Sequence, residues 1–190
     1  MDEPLRTCLY GGSFNPPHVC HVMATVWALG VCPVDEVWWV PTWHHAFGKD
    51  LVDFDRRVTM CELAVKPLSG RAHVCPIEGE MGGESRTIDT LRALQQRHPD
   101  RSFSLLIGAD LLPDTPRWKE WETLQRMIPV YVLGRSGFGS MPDPSLSLPD
   151  VSSSQIREAL AREDREYLES RVPANVLAYV QRNGLYRNGN

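Results

Sequence analysis

Short apolar runs alternate along this chain with longer stretches in which apolar residues recur every three or four positions. The short runs, at 5–10, 36–40, 71–77, 102–107 and 130–133, read as strands bounded by Gly, Pro or Asp. The longer stretches read as helices at 18–30, 53–65, 87–98, 116–127, 152–162 and 173–184. In the third of these, Ile88, Leu91 and Leu94 share one face, and Pro99 stops the helix. Asp53 and Ser152 stand where N-caps are expected, and Pro116 suits a first helical turn. Strands that are apolar throughout and alternate with helices predict an α/β fold. The expectation is a single Rossmann-like domain over 1–190, with a mainly parallel sheet and helices on both faces. Such sheets place ligands beyond the carboxyl ends of their strands. The stretch 134–149, rich in Gly, Ser and Pro, is the expected mobile loop.

Composition narrows the function classes. A net charge of −4 argues against a nucleic-acid binder that works through bulk positive charge. The longest uncharged apolar run, 22–34, is shorter than the roughly 20 residues a bilayer span needs. The first residues lack signal-peptide character. A cytoplasmic protein with no membrane or nucleic-acid partner is therefore expected, and the sequence leaves monomer and homo-oligomer both open. Five irregularly spaced cysteines without a C-x-x-C argue against a disulfide framework or zinc knuckle, and no metal ligands are assigned.

Chemistry concentrates in Gly11-Gly12-Ser13-Phe14-Asn15-Pro16-Pro17-His18-Val19-Cys20-His21. Two glycines after a strand permit a tight turn and close approach to a phosphate. The segment is neither G-x-G-x-x-G nor a P-loop. His18 and His21, three apart at a helix start, point the same way and can donate to phosphate oxygens as charge develops. In isolation an H-x-x-H is more often a cap plus a surface residue. A second cluster, Ser152-Ser153-Ser154-Gln155-Ile156-Arg157, is a hydroxyl-rich helix start with an arginine one turn in. Ser152 can cap, while Ser154, the first-turn N–H groups and Arg157 can meet phosphate. Alone it also fits an ordinary capped helix. Gly108-Ala109-Asp110 closes the fourth strand; Asp110 can accept from ribose hydroxyls, and Trp118 offers a stacking face or a core residue. Thr87 with nearby amides can hold a carboxylate or simply cap a helix. Lys49 can reach a phosphate or stay solvated, and His44 and His45 read as loop residues. Trp121 reads as core.

The first segment resembles the G-G-[ST]-F-[DN]-P-x-H-x-G-H signature of the nucleotidylyltransferase superfamily, with Cys20 where glycine is usual. The second cluster resembles that superfamily's I-S-S-T-x-I-R motif on the C-terminal helices. Gly108-Ala109-Asp110 followed by Trp118, and Ser85-Arg86-Thr87-Ile88-Asp89-Thr90, are similar to segments of the bacterial nicotinate-mononucleotide adenylyltransferases. The ending, with Tyr179, Leu185 and Tyr186, resembles that family's C-terminus and implies packing. The resemblance implies transfer of the adenylyl group of ATP to nicotinate mononucleotide, giving deamido-NAD and pyrophosphate, with Mg2+ carried on the nucleotide. It implies catalytic roles for His18, His21 and Arg157. It implies ATP contacts from Gly11, Gly12, Ser13, Phe14, Asn15, His18, His21, Ser152, Ser154 and Arg157. Acceptor contacts would come from Lys49, Thr87, Gly108, Asp110 and Trp118. The alternatives are nicotinamide mononucleotide or phosphopantetheine as acceptor, and a non-catalytic nucleotide-binding domain.

Overall fold

The computed structural model describes residues 3–44, 51–68, 70–134 and 148–187. Five strands among them form one sheet of order β3-β2-β1-β4-β5. They are β1 (Leu5–Gly12), β2 (Glu36–Pro41), β3 (Ala72–Val74), β4 (Arg101–Gly108) and β5 (Val130–Leu133). Every pairing is parallel; Tyr10 lies beside Leu106 of β4, and Gly11 beside Val40 of β2.

Alternation along the strands divides the interior in two. Cys8, Val37, Trp39 and Leu106 face one side, against α1 (Val19–Val31), α2 (Phe54–Val65), α6 (Ser153–Ala161), α7 (Arg165–Glu169) and α8 (Ala174–Arg182). Leu9, Trp38, Val40, Leu105 and Ile107 face the other, against α3 (Ile77–Met81), α4 (Thr87–Arg97) and α5 (Trp121–Met127). Ile88, Leu91 and Leu94 of α4 are fully buried there, as their spacing predicts. The doubly covered parallel sheet is the Rossmann-like arrangement expected. The chain crosses to β2 on one side of β1 and to β5 on the far side of β4. A crevice therefore opens between the carboxyl ends of β1 and β4.

The structure departs from the periodicity in several places. Strand β3 stops at Val74 and Ile77 begins α3, because Pro76 has no N–H for the ladder. The expected helix at 116–127 is only its second half. Residues Ala109–Arg117 form a 3-10 helix containing Pro113 and Pro116, and Glu120, at φ 52°, breaks the path before α5. Helix α7, capped by Asp164, is short enough to escape a periodicity reading. Asp53 precedes α2 without capping it through its side chain, and pairs instead with Arg56 at 3.6 Å. No helix among the described residues is long and apolar enough to cross a membrane. Lys49, His45 and most of the 134–149 loop lie outside the described residues.

Candidate active site

Strand β1 delivers Gly11 and Gly12 to the crevice. A Cβ on Gly12 would sit 3.1 Å from the Phe14 ring, while a Cβ at Gly11 would meet nothing within 4 Å. Gly12 is thus held small by what lies beneath it, and Gly11 leaves its backbone open to a ligand. Phe14, at φ 46°, turns its ring into the core and stacks on Trp39 with centroids 4.7 Å apart. It supports the loop from below. Trp39 Nε1 donates to Thr25 Oγ1 (2.7 Å), and that hydroxyl donates to the His21 carbonyl (2.9 Å). The loop and the first turn of α1 are in this way seated on one aromatic platform.

His18 is the N-cap of α1 and is buried; His21 lies three residues on, with the ring centroids 3.9 Å apart. The His18 backbone N–H donates to His21 Nδ1 at 3.0 Å. A neutral His21 consequently carries its proton on Nε2, the nitrogen that can donate to a phosphate oxygen. Cys20 is also buried, and its thiol donates to the Pro149 carbonyl at 3.6 Å. The atoms added relative to glycine therefore pack toward the segment that leads into α6.

The second cluster folds back onto the first across more than 130 residues of sequence. Ser152 caps α6: its hydroxyl accepts from the Gln155 N–H (3.3 Å), and Gln155 Oε1 accepts from the Ser152 N–H (2.7 Å). Ser153 Oγ donates to the Pro16 carbonyl (2.9 Å). Arg157 donates through Nη1 to the Asn15 carbonyl (2.9 Å) and through Nη2 to Ser154 Oγ (3.2 Å). The Asn15 side-chain oxygen accepts from the Val52 N–H (3.2 Å) and from the Tyr186 hydroxyl (2.8 Å). Burial pushes the Tyr186 phenol well above its ordinary range, so it stays a donor.

Two cavities meet at this loop. The larger, about 900 Å³, is lined by Gly11, His18, His21, Ser152, Ser154 and Arg157 among others. The smaller, about 390 Å³, is lined by Thr42, Glu78, Ser85, Arg86, Thr87 and Trp118 among others. Gly11, Gly12 and Ser13 line both. Gly108 and Asp110, which the sequence assigns to the acceptor with Thr87 and Trp118, line the larger cavity instead. A Cβ on Gly108 would meet Asp110 Oδ1 at 2.3 Å, so the carboxylate folds back over Gly108 and a larger residue there would have to displace it.

On the smaller cavity, Thr87 is the first residue of α4, whose opening N–H groups lack intrahelical acceptors. Trp118 is half-buried, edge-on to Trp121 with centroids 5.5 Å apart. Ion pairs Lys119–Asp89 (2.8 Å) and Arg92–Glu120 (2.7 Å) hold the Trp118 loop to α4. His44 is an exposed loop residue, as expected. Sequence reasoning missed Arg57, Glu78, Ser153 and the hydroxyl of Tyr186. Their partners are mostly backbone groups distant in the chain, and nothing in local spacing marks such a role.

Comparison with known proteins gives a consistent picture. The family model described as cytidylyltransferase-like matches residues 9–159. A protein of Anaeromyxobacter sp. (strain K), named "Probable nicotinate-nucleotide adenylyltransferase", is 46% identical over 190 residues, covering 98% of this chain and 100% of the relative. A Myxococcus xanthus protein of the same name is 42% identical over 186 residues, covering 98% and 97%. The solved Plasmodium falciparum nicotinic acid mononucleotide adenylyltransferase complexed with NaAD superposes with a TM-score of 0.82 at 23% identity, covering 96% of this chain and 97% of that one.

Proposed function

The chain belongs to the cytidylyltransferase-like family, in the branch of the nicotinate-nucleotide adenylyltransferases, and on that premise we propose that it adenylylates nicotinate mononucleotide with ATP. Deamido-NAD and pyrophosphate are the products, and residues 1–190 act as one nucleotidylyltransferase domain. The observation that carries this reading is the wall of Gly11, Gly12 and Ser13 common to two cavities. It lets one substrate lie on each side with their phosphates meeting over the loop.

ATP takes the larger cavity. We assign Gly108 and Asp110 to its ribose, because both line that cavity, and Ser152, Ser154, Arg157 and the α6 first turn to its phosphates. The acceptor takes the smaller cavity. Its pyridine ring lies against Trp118 and its carboxylate meets Thr87 and the N–H groups opening α4. Lys49 remains a candidate for its phosphate from sequence alone.

A phosphate oxygen of the acceptor attacks the α-phosphorus of ATP, the new P–O bond forms, and the bond to the leaving pyrophosphate breaks. Two anionic phosphates must be brought together in line, so positioning and charge neutralisation do most of the work. His18, His21 and Arg157 supply hydrogen-bond donors on that side of the loop. Among the described residues no group of three or more His, Cys, Asp or Glu could cage a metal, so a Mg2+ ion would be held mainly by the ATP phosphates and water, with Glu158 a second carboxylate on this cavity's wall. Bound with ATP, that ion would neutralise charge on the triphosphate.

The test is pyrophosphate release from Mg-ATP with nicotinate mononucleotide, nicotinamide mononucleotide or phosphopantetheine supplied separately. Release with nicotinate mononucleotide is expected. Release with phosphopantetheine alone would overturn the acceptor, and release with none would overturn the reaction.

A further inference from the structure

Beside the smaller cavity, two oppositely charged side chains are buried, and both grip the segment leaving β2. Arg57 is 1% exposed and donates through Nη1 to the carbonyls of Thr42 (2.7 Å) and Ser13 (3.0 Å). Its Nη2 donates to the Trp43 carbonyl (3.3 Å), and its Nε to Val52 (2.8 Å). Glu78 is 9% exposed and holds the same segment from the other side. Its Oε2 accepts from the Trp43 N–H (3.1 Å), and its Oε1 accepts from Thr90 Oγ1 (2.9 Å). The Ser85 hydroxyl is a further hydrogen-bond partner, and Ser85 Oγ itself accepts from the Trp43 N–H (2.9 Å).

A carboxylate is expensive to bury, and a loop can be pinned by neutral groups at less cost. What distinguishes Glu78 is what it joins. Thr42, Ser85 and Thr90 all line the smaller cavity, as does Glu78 itself. Trp43 N–H, Thr90 and Ser85 together occupy the carboxylate, an acceptor-only group that can satisfy several donors at once. Its lone pairs are taken up by protein donors, so it serves as a cross-link within the cavity wall. Ser85 directly precedes Arg86 and Thr87, the residues that open α4.

We propose that Glu78 is a positioning residue for the acceptor: it ties the exit of β2 to the start of α4, so that the Arg86–Thr87 N–H groups are fixed toward the pyridine carboxylate. The inference rests on the reading that the smaller cavity binds the pyridine mononucleotide. Glu78 touches no reacting atom. Its effect therefore belongs in acceptor affinity, not in the chemical step or in ATP binding.

The experiment measures kcat and both KM values for wild type, Glu78→Gln, Glu78→Asp and Ser85→Ala, with thermal unfolding of each. In Glu78→Gln the KM for nicotinate mononucleotide rises about tenfold, while the KM for ATP stays within about twofold and kcat within about threefold. Glu78→Asp, which keeps the charge but shortens the reach, falls between wild type and Gln. Ser85→Ala moves the same KM about threefold. An unchanged acceptor KM, or equal rises in both KM values, overturns the proposal. If Glu78→Gln does not fold, Ser85→Ala decides by the same criterion. A wild type inactive on nicotinate mononucleotide overturns the functional reading and this inference with it. An active wild type with an unmoved variant overturns the inference alone.

Discussion

At the scale of the residue, the site is defined by a few groups with restricted options. The His18 backbone N–H fixes the tautomer of His21, and burial fixes the place of His18 at the N-cap. Removing the His18 imidazole should mainly affect the charge that develops in the transition state. His18→Ala is expected to lower kcat about a hundredfold while the Kd for ATP changes less than about threefold. Steady-state kinetics beside equilibrium titration checks this, and equal losses in both would argue against a transition-state role. Cys20 is accommodated because its thiol turns to the Pro149 carbonyl. Glu78 makes a prediction of opposite character. Burial raises its carboxyl above the ordinary glutamate range, against the pull of its hydrogen bonds to Ser85, Thr90 and Trp43. As pH rises through that ordinary range the unfolded chain ionises first, so wild type loses stability relative to Glu78→Gln up to the raised folded-state value. Urea unfolding of both proteins at pH 4 and pH 7 should show the variant gaining on wild type at the higher pH. A constant difference would mean that burial does not penalise the charge.

At the scale of the element, two helix starts line the two cavities, and each is held by a different device. Helix α6 is anchored by the reciprocal bonds of Ser152 and Gln155 and by Ser153 on Pro16. Ser152→Ala removes the cap, at a cost of about 1 kcal/mol. Because Ser154 and Arg157 ride on that turn, the KM for ATP should rise with little change in the acceptor KM. Denaturant unfolding and kinetics on the same preparation test both parts. Helix α4 is anchored through Glu78 and through its ion pairs to the Trp118 loop. The sequence placed most elements well, since their apolar spacing is what the two cores bury. It misplaced those governed by a single backbone constraint: Pro76 ending β3, and Glu120 dividing the 109–127 region.

At the scale of the whole molecule, the two ends of the sheet do different work. The carboxyl ends of β1 and β4 hold the loop and both cavities. The amino ends carry a polar network in which Glu36 accepts from Thr7 Oγ1 (2.7 Å) and from Arg101, with His73 Nε2 at 3.4 Å. The Arg101 guanidinium also lies over the Trp38 ring, 4.7 Å from its centroid. The network spans β1, β2, β3 and β4, at the end of the sheet opposite the two cavities. Glu36→Ala would leave Arg101 mostly buried without its carboxylate, so a loss of about 2 kcal/mol in stability is expected with both KM values unchanged. Altered KM values would show that the two ends are coupled.

The sequence by itself determined the alternating α/β order, the glycine-rich loop before a histidine-bearing helix, and the serine-rich start of α6. Each of these rests on short-range chemistry: side-chain period, backbone permissiveness and capping. Only the tertiary structure decided which motif lines which cavity. Asp110 moved to the larger cavity because the turn after β4 folds its carboxylate over Gly108. Arg57 and Glu78 emerged beside the smaller cavity because their partners, the backbone of residues 13, 42 and 43 and the side chains of Ser85 and Thr90, are brought together only by the parallel sheet. Long-range contact of this kind leaves no periodic trace in a single chain, whereas local conformational preference does.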